Sequence, residues 1–179
     1  KYQHSVYKKI ENKGIAANTN AAAELASGEY LALADHDDIL APHAMYTMGK
    51  AIAQLREAGE PDGFLYSDEA LFTKKIEKPL VAHFKPDYAP DYLLCCNYIC
   101  HLAVFRRELF EQVGGERPEC DGSQDHDLFL RLIEQVGGAA HVPQVLYYWR
   151  VHEGSTSGGT DAKPYVAKAA KKALADHLE

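Results

Sequence analysis

Asp35-His36-Asp37-Asp38 is the densest group of chemically capable side chains in the sequence. It follows an apolar run at 30–34 and precedes Pro42. Carboxylates this close repel one another and cost desolvation unless a cation or hydrogen-bond donors compensate. Two of them at i and i+2 in a turn can hold Mg²⁺ or Mn²⁺ through oxygen, leaving positions for water and substrate phosphates. The same residues also fit a plain acidic turn in which Asp35 or Asp38 caps the next helix. Spacing alone does not separate the two.

Three further groups stand out. In Gly122-Ser123-Gln124-Asp125-His126-Asp127-Leu128, both acids fall in a first helical turn, where the helix dipole favours their ionised forms. An ionised carboxylate at a pocket edge can act as a general base. Simple charge compensation at the helix start explains Asp127 better. In Tyr147-Tyr148-Trp149-Arg150-Val151-His152, strand alternation puts Tyr148, Arg150 and His152 on one face, where Arg150 and His152 can meet a phosphate or a metal. An aromatic edge strand with a surface histidine is the alternative. Asp68-Glu69 ends a second apolar run, 63–67, and is a candidate by the same strand-end logic.

These groups need elements to position them. A helical pattern runs from Ile15 to a cap at Gly28, and a buried strand covers 30–34. Pro42 fits the first turn of a helix carrying Met45, Met48, Ile52 and Leu55, and a second buried strand covers 63–67. Strands apolar on both faces, alternating with helices, predict an α/β layered fold with a mostly parallel central sheet. In such sheets ligands bind beyond the carboxyl ends of the strands, which puts Asp35, Asp37 and Asp38 at a crevice mouth. Strands at 99–105 and 145–151, helices at 92–96, 108–113 and 124–136, a mobile Gly/Ser/Thr-rich stretch at 153–162 and a surface helix at 163–178 complete the reading.

Bulk properties narrow the function. The chain has 179 residues, about one domain, and a formal charge of 19 minus 26, or -7, which argues against a nucleic-acid partner. No apolar run reaches the roughly 18 residues needed to span a bilayer. Neither GxGxxG nor GxxxxGK[ST] occurs, so a phosphorylated ligand must be held by metal and side chains. Cys95, Cys96, Cys100 and Cys120 form no CxxC pair and read as reduced, core or near-core thiols of a cytosolic domain.

The motifs together resemble the family 2 nucleotide-sugar glycosyltransferases of GT-A fold. The likeness runs from Gly14-Ile15-Ala16-Ala17 and Ala26-Ser27-Gly28-Glu29-Tyr30 through Asp35-His36-Asp37-Asp38 and Tyr66-Ser67-Asp68-Glu69. It continues with Phe84-Lys85-Pro86-Asp87, Asn97-Tyr98, Gly114-Gly115, Gly122 to Leu128, Leu146 to Arg150, His152 and Ser155-Thr156. It covers residues 12–157 and implies an inverting, metal-assisted transfer from a nucleotide-sugar donor to a saccharide or lipid-linked acceptor. By that resemblance Asp37 meets a divalent cation (Mn²⁺ or Mg²⁺) on the donor diphosphate, Asp35 lies near ribose or metal, and His152 closes on the metal. Arg150 lies on the donor side, Asp125 is the catalytic base, and Asp68, Glu69 and Asp127 lie on the acceptor side. Gln124 stands where many members have Glu. Bacterial surface polysaccharide assembly, in the cytoplasm or at the cytoplasmic face of the membrane, is the implied setting. The strands that open the family's fold and bind the nucleobase are absent, which implies a partial catalytic domain over 1–179 with an exposed sheet edge open to self-association. A non-catalytic sugar or nucleotide binding module and a metal-dependent phosphohydrolase or nucleotidyltransferase remain alternatives.

Overall fold

The computed structural model describes residue 6, residues 8–152 and residues 164–179. The expected loop at 153–162 and the Ser155-Thr156 motif lie outside the described residues. Six strands form one sheet: β1 (Tyr30–Ala32), β2 (Ile39–Leu40), β3 (Phe64–Phe72), β4 (Val81–His83), β5 (Ala103–Arg106) and β6 (Ala140–Arg150). Their order is β1-β5-β3-β6-β2, with β4 paired to β3 beyond β5.

The sheet is mixed, which corrects the mostly parallel expectation. Among the described residues only β3 and β6 are parallel neighbours; β1–β5, β5–β3, β3–β4 and β6–β2 are antiparallel. β1 and β3 do run the same way, since each is antiparallel to β5. Helix–strand alternation along a sequence reports direction but not neighbours, and β5 inserts between them. β3 and β6 are also longer than their apolar runs. Pro143 lies inside β6, and the register against β3 shifts on either side of Asp68, from Ser67↔Val142 to Glu69↔Tyr147. A residue without an N–H breaks the ladder, and the bulge absorbs it.

Both faces of the sheet are covered by helices, as the apolar strands require. β3 sends Phe64 and Tyr66 to one side, where they pack with Phe105 and with Leu128, Phe129 and Leu132 of α5 (Gln124–Val136). Leu65 points to the other side, with Val104, Leu146, Tyr147 and Met48 of α2 (Ala44–Ala58). α2 starts two residues after Pro42 and ends on Gly59, whose φ of 71° closes the helix in the left-handed region. α1 (Ile15–Ala23) ends before Gly28, which is not its cap. Its start is capped from far along the chain: the Asp121 carboxylate accepts hydrogen bonds from Ile15 N (3.2 Å) and Ala16 N (2.9 Å). Gly14, at φ 106°, leaves room for that carboxylate where a Cβ would collide with it.

α3 (Pro90–Cys95) and α4 (Arg107–Gln112) flank β5, and Cys95 and Cys96 are exposed rather than near the core. α6 (Pro164–Leu178) packs against α5 and buries Ala169 and Ala173, so one face of the expected surface helix is interior.

Candidate active site

The acidic loop between β1 and β2 is held open by β6. Tyr147 donates its hydroxyl to Asp38 Oδ2 (2.7 Å) and accepts from Asp35 N (2.9 Å). Arg150 N donates to Asp38 Oδ1 (2.6 Å), and Arg150 Nε donates to the Asp37 carbonyl (2.7 Å). Asp38 is therefore the loop's anchor and does not cap α2. Burial pushes its carboxyl up, the Arg150 amide and Tyr147 hydroxyl pull it down, and the Asp35 charge adds to the rise. Asp35 stays open, with its side chain 62% exposed. His152 Nε2 lies 3.1 Å from Asp37 Oδ2, so the structure brings that sequence-selected pair together. Arg150 spends its guanidinium on the backbone: besides Asp37 it donates to the Thr73 carbonyl (3.3 Å) and stacks over Phe72 at 4.5 Å.

His101 is the residue the sequence reading missed. Its ring stacks on Tyr147 (centroids 4.6 Å apart) and meets Trp149 edge-on at 5.6 Å. Nε2 lies 4.0 Å from Asp35 Oδ2, and the buried Nδ1 has no hydrogen-bond partner. Asp35, Asp38 and His101 each offer a ligand atom, and those atoms lie within 4.8 Å of one another. Because β5 runs antiparallel to β1, its beginning lies beside the end of β1: Leu33 N donates to Ala103 O (3.3 Å). A strand assumed parallel places His101 at the wrong end. Oxygen-rich coordination with one imidazole suits Mn²⁺ and, with more water, Mg²⁺. The clustered like charges, with His101 Nε2 turned toward Asp35, fit a cation at this end of the sheet.

The remaining sequence candidates divide. Asp125, in the first turn of α5, accepts from Asn97 Nδ2 (2.8 Å) and is partly exposed. Asp127 is buried, paired with Arg117 and with Arg131 (2.6 Å). Residues two apart on a helix point about 200° from each other, so Asp125 and Asp127 cannot both face an acceptor. That corrects the acceptor-side expectation for Asp127. Asp68 and Glu69 do not end a strand either, because β3 continues to Phe72, and both are buried. Asp68 accepts from Lys85 N (2.9 Å) and lies 2.9 Å from His141 Nε2. Glu69 accepts from His101 N (3.2 Å) and from buried Lys85 Nζ (3.4 Å). Lys85 Nζ also donates to the carbonyls of Ile99 (2.6 Å) and His101. Burial lowers the Lys85 pKa and Glu69 opposes the fall. These groups hold the segment that carries His101.

Residues 1–114, more than half of the chain, match glycosyl transferase family 2. The chain belongs to that family. This family 2 chain is 39% identical over 169 residues to the uncharacterized protein y4gI of Sinorhizobium fredii, an alignment spanning 93% of this chain and 18% of y4gI. It is 32% identical over 163 residues to the O-antigen biosynthesis protein RfbC of Myxococcus xanthus, spanning 91% of this chain and 12% of RfbC. The chain thus spans under a fifth of the length of these curated relatives. A crystal structure of S. aureus TarS 1-349 in complex with UDP-GlcNAc superposes with a TM-score of 0.60 at 15% identity, covering 92% of this chain and 52% of that one. The likeness shows a shared GT-A-like fold. Among the described residues no helix is long and apolar enough to cross a membrane.

Proposed function

We propose that this family 2 chain carries the reaction centre of an inverting glycosyltransferase, which moves a sugar from a nucleoside-diphosphate sugar to an acceptor hydroxyl. The observation that carries the reading is the convergence of the Asp35–Asp38 loop, His101 and His152 at one end of the sheet. Asp35, Asp38 and His101 are the residues whose ligand atoms lie close enough to hold one Mn²⁺ or Mg²⁺, and Asp37 of the same loop, paired with His152, is where a further ligand would come from. A bound divalent cation supplies charge neutralisation for the departing diphosphate. Asp125 takes the proton of the attacking acceptor hydroxyl, and the amide of Asn97 fixes the orientation of its carboxylate. Arg150 keeps the Asp37 backbone in place, and Glu69 and Lys85 do the same for the His101 segment. RfbC's name supports a role in bacterial surface polysaccharide assembly, with a saccharide or lipid-linked acceptor.

The test separates donor binding from transfer. Asp125→Asn keeps the shape and removes the basicity. Donor binding by calorimetry stays within a few-fold of the parent, while sugar transfer falls roughly 10²-fold or more. Asp37→Ala loses Mn²⁺-dependent donor binding as well. Near-normal transfer by Asp125→Asn would remove the base assignment.

A further inference from the structure

The β3–β4 hairpin leaves the sheet at the end that carries the acidic loop. Arg150 joins the two through the carbonyls of Asp37 and Thr73, and Val151 N donates to Phe72 O (2.8 Å). Beyond Thr73 the hairpin carries exposed Lys74, Lys75 and Lys78, none ion-paired among the described residues. Glu77 is the one acid between Thr73 and Phe84, so the tip carries three minus one, or +2. The chain as a whole carries -7, leaving -9 on the rest. The return limb exposes Leu80 (60%), Val81 (45%) and Phe84 (78%). Leu80 and Phe84 flank the short strand β4 on either side.

Adjacent lysines and protruding apolar side chains match an anionic bilayer surface in two ways. Lipid phosphates take the ammonium groups, and the acyl boundary takes the leucine and the ring. The acidic remainder turns the molecule so that the hairpin leads. A second copy docked hairpin to hairpin would set +2 against +2, and like charges oppose that pairing. Nucleic acid would satisfy the lysines but leave Leu80 and Val81 in water. We propose that this hairpin docks the protein on an anionic lipid surface, bringing the site-bearing end of the sheet toward the membrane. The proposal does not depend on the transferase reading, because its readout is partitioning onto lipid.

The experiment is co-sedimentation of the protein with phosphatidylcholine vesicles, with and without phosphatidylglycerol, at low and high salt. Binding is expected only with phosphatidylglycerol and weakens as salt rises. Lys74→Gln/Lys75→Gln/Lys78→Gln lowers the partition about 100-fold, each charge near an anionic surface being worth roughly fivefold. Leu80→Ser/Phe84→Ser lowers it at least about tenfold, the scale of burying one large apolar side chain. All five positions are exposed, so thermal unfolding of both variants matches the parent. Three outcomes would overturn the proposal: no binding at low salt, equal binding to both vesicle types, or variants that bind like the parent. So would a concentration-dependent dimer in sedimentation velocity that Leu80→Ser/Phe84→Ser abolishes, since that assigns the patch to a second copy.

Discussion

Glu116 is the residue whose chemistry the proposed transfer does not use. It is 3% exposed, and its Oε2 has no hydrogen-bond partner among the described residues. Burial pushes its carboxyl from 4.5 up to about 8; the Thr19 hydroxyl opposes the rise, and the charges of Asp125, Asp121 and Asp35 add to it. The folded protein therefore keeps a proton that the unfolded chain releases above pH 4.5. The stability tied to that proton is full below 4.5 and lost as pH climbs through about 8. Glu116→Gln, neutral at every pH, raises Tm at pH 8 by several degrees and leaves it nearly unchanged at pH 4.5. Equal Tm changes at both pH values would remove Glu116 as the source. At this scale the sequence showed where the acids and histidines cluster: Asp35 and Asp37, and the His152 that meets Asp37, sit in short motifs whose chemistry is local. His101 and Glu116 were not legible, because one depends on the direction of β5 and the other on what surrounds it.

At the scale of elements, the start of α5 has two acids with two different duties. Asp125 faces outward to Asn97, and Asp127 faces inward to Arg117 and Arg131. Arg131 also donates to the carbonyls of Val113 (2.7 Å) and Gly115 (2.8 Å), so the buried carboxylate ties α5 to the turn after α4. Removing one member of a buried pair costs about 3 kcal/mol, because the partner charge stays behind. Asp127→Asn is thus expected to lower unfolding free energy by about 3 kcal/mol in urea titration, with donor affinity unchanged. A stability loss below about 1 kcal/mol, or a matching loss of donor affinity, would contradict this division of roles. Helical periodicity alone separates Asp125 from Asp127; which of the two faces inward needed the packing of Leu128 and Leu132. The helices were legible because period and caps are local. The neighbours in the sheet were not, since pairing joins strands tens of residues apart: β3 pairs with β6 across Leu65↔Ala140.

At the scale of the whole molecule, the long-range pairings share a direction: early segments wait for late ones. The Asp121 cap on α1 spans 106 residues from Ile15. Nine-residue helices are marginal alone in water, and α1 has no side-chain cap of its own. On a ribosome adding about 5–20 residues each second, the amino-terminal segment stays uncapped for roughly 5–20 s after it is made. Throughout that interval Leu31 and Phe64 lack Phe129, and until residue 105 is made they lack Phe105 as well. Stalled nascent chains released before Asp121 are therefore expected to be cut readily within 15–23 by a nonspecific protease. Chains that extend past β6 resist. Protection that arises before Asp121 is synthesised would show that α1 finds another cap. The one carboxylate thus acts as a timing device in biosynthesis, leaving α1 open to chaperones until the ribosome has moved 106 residues past Ile15.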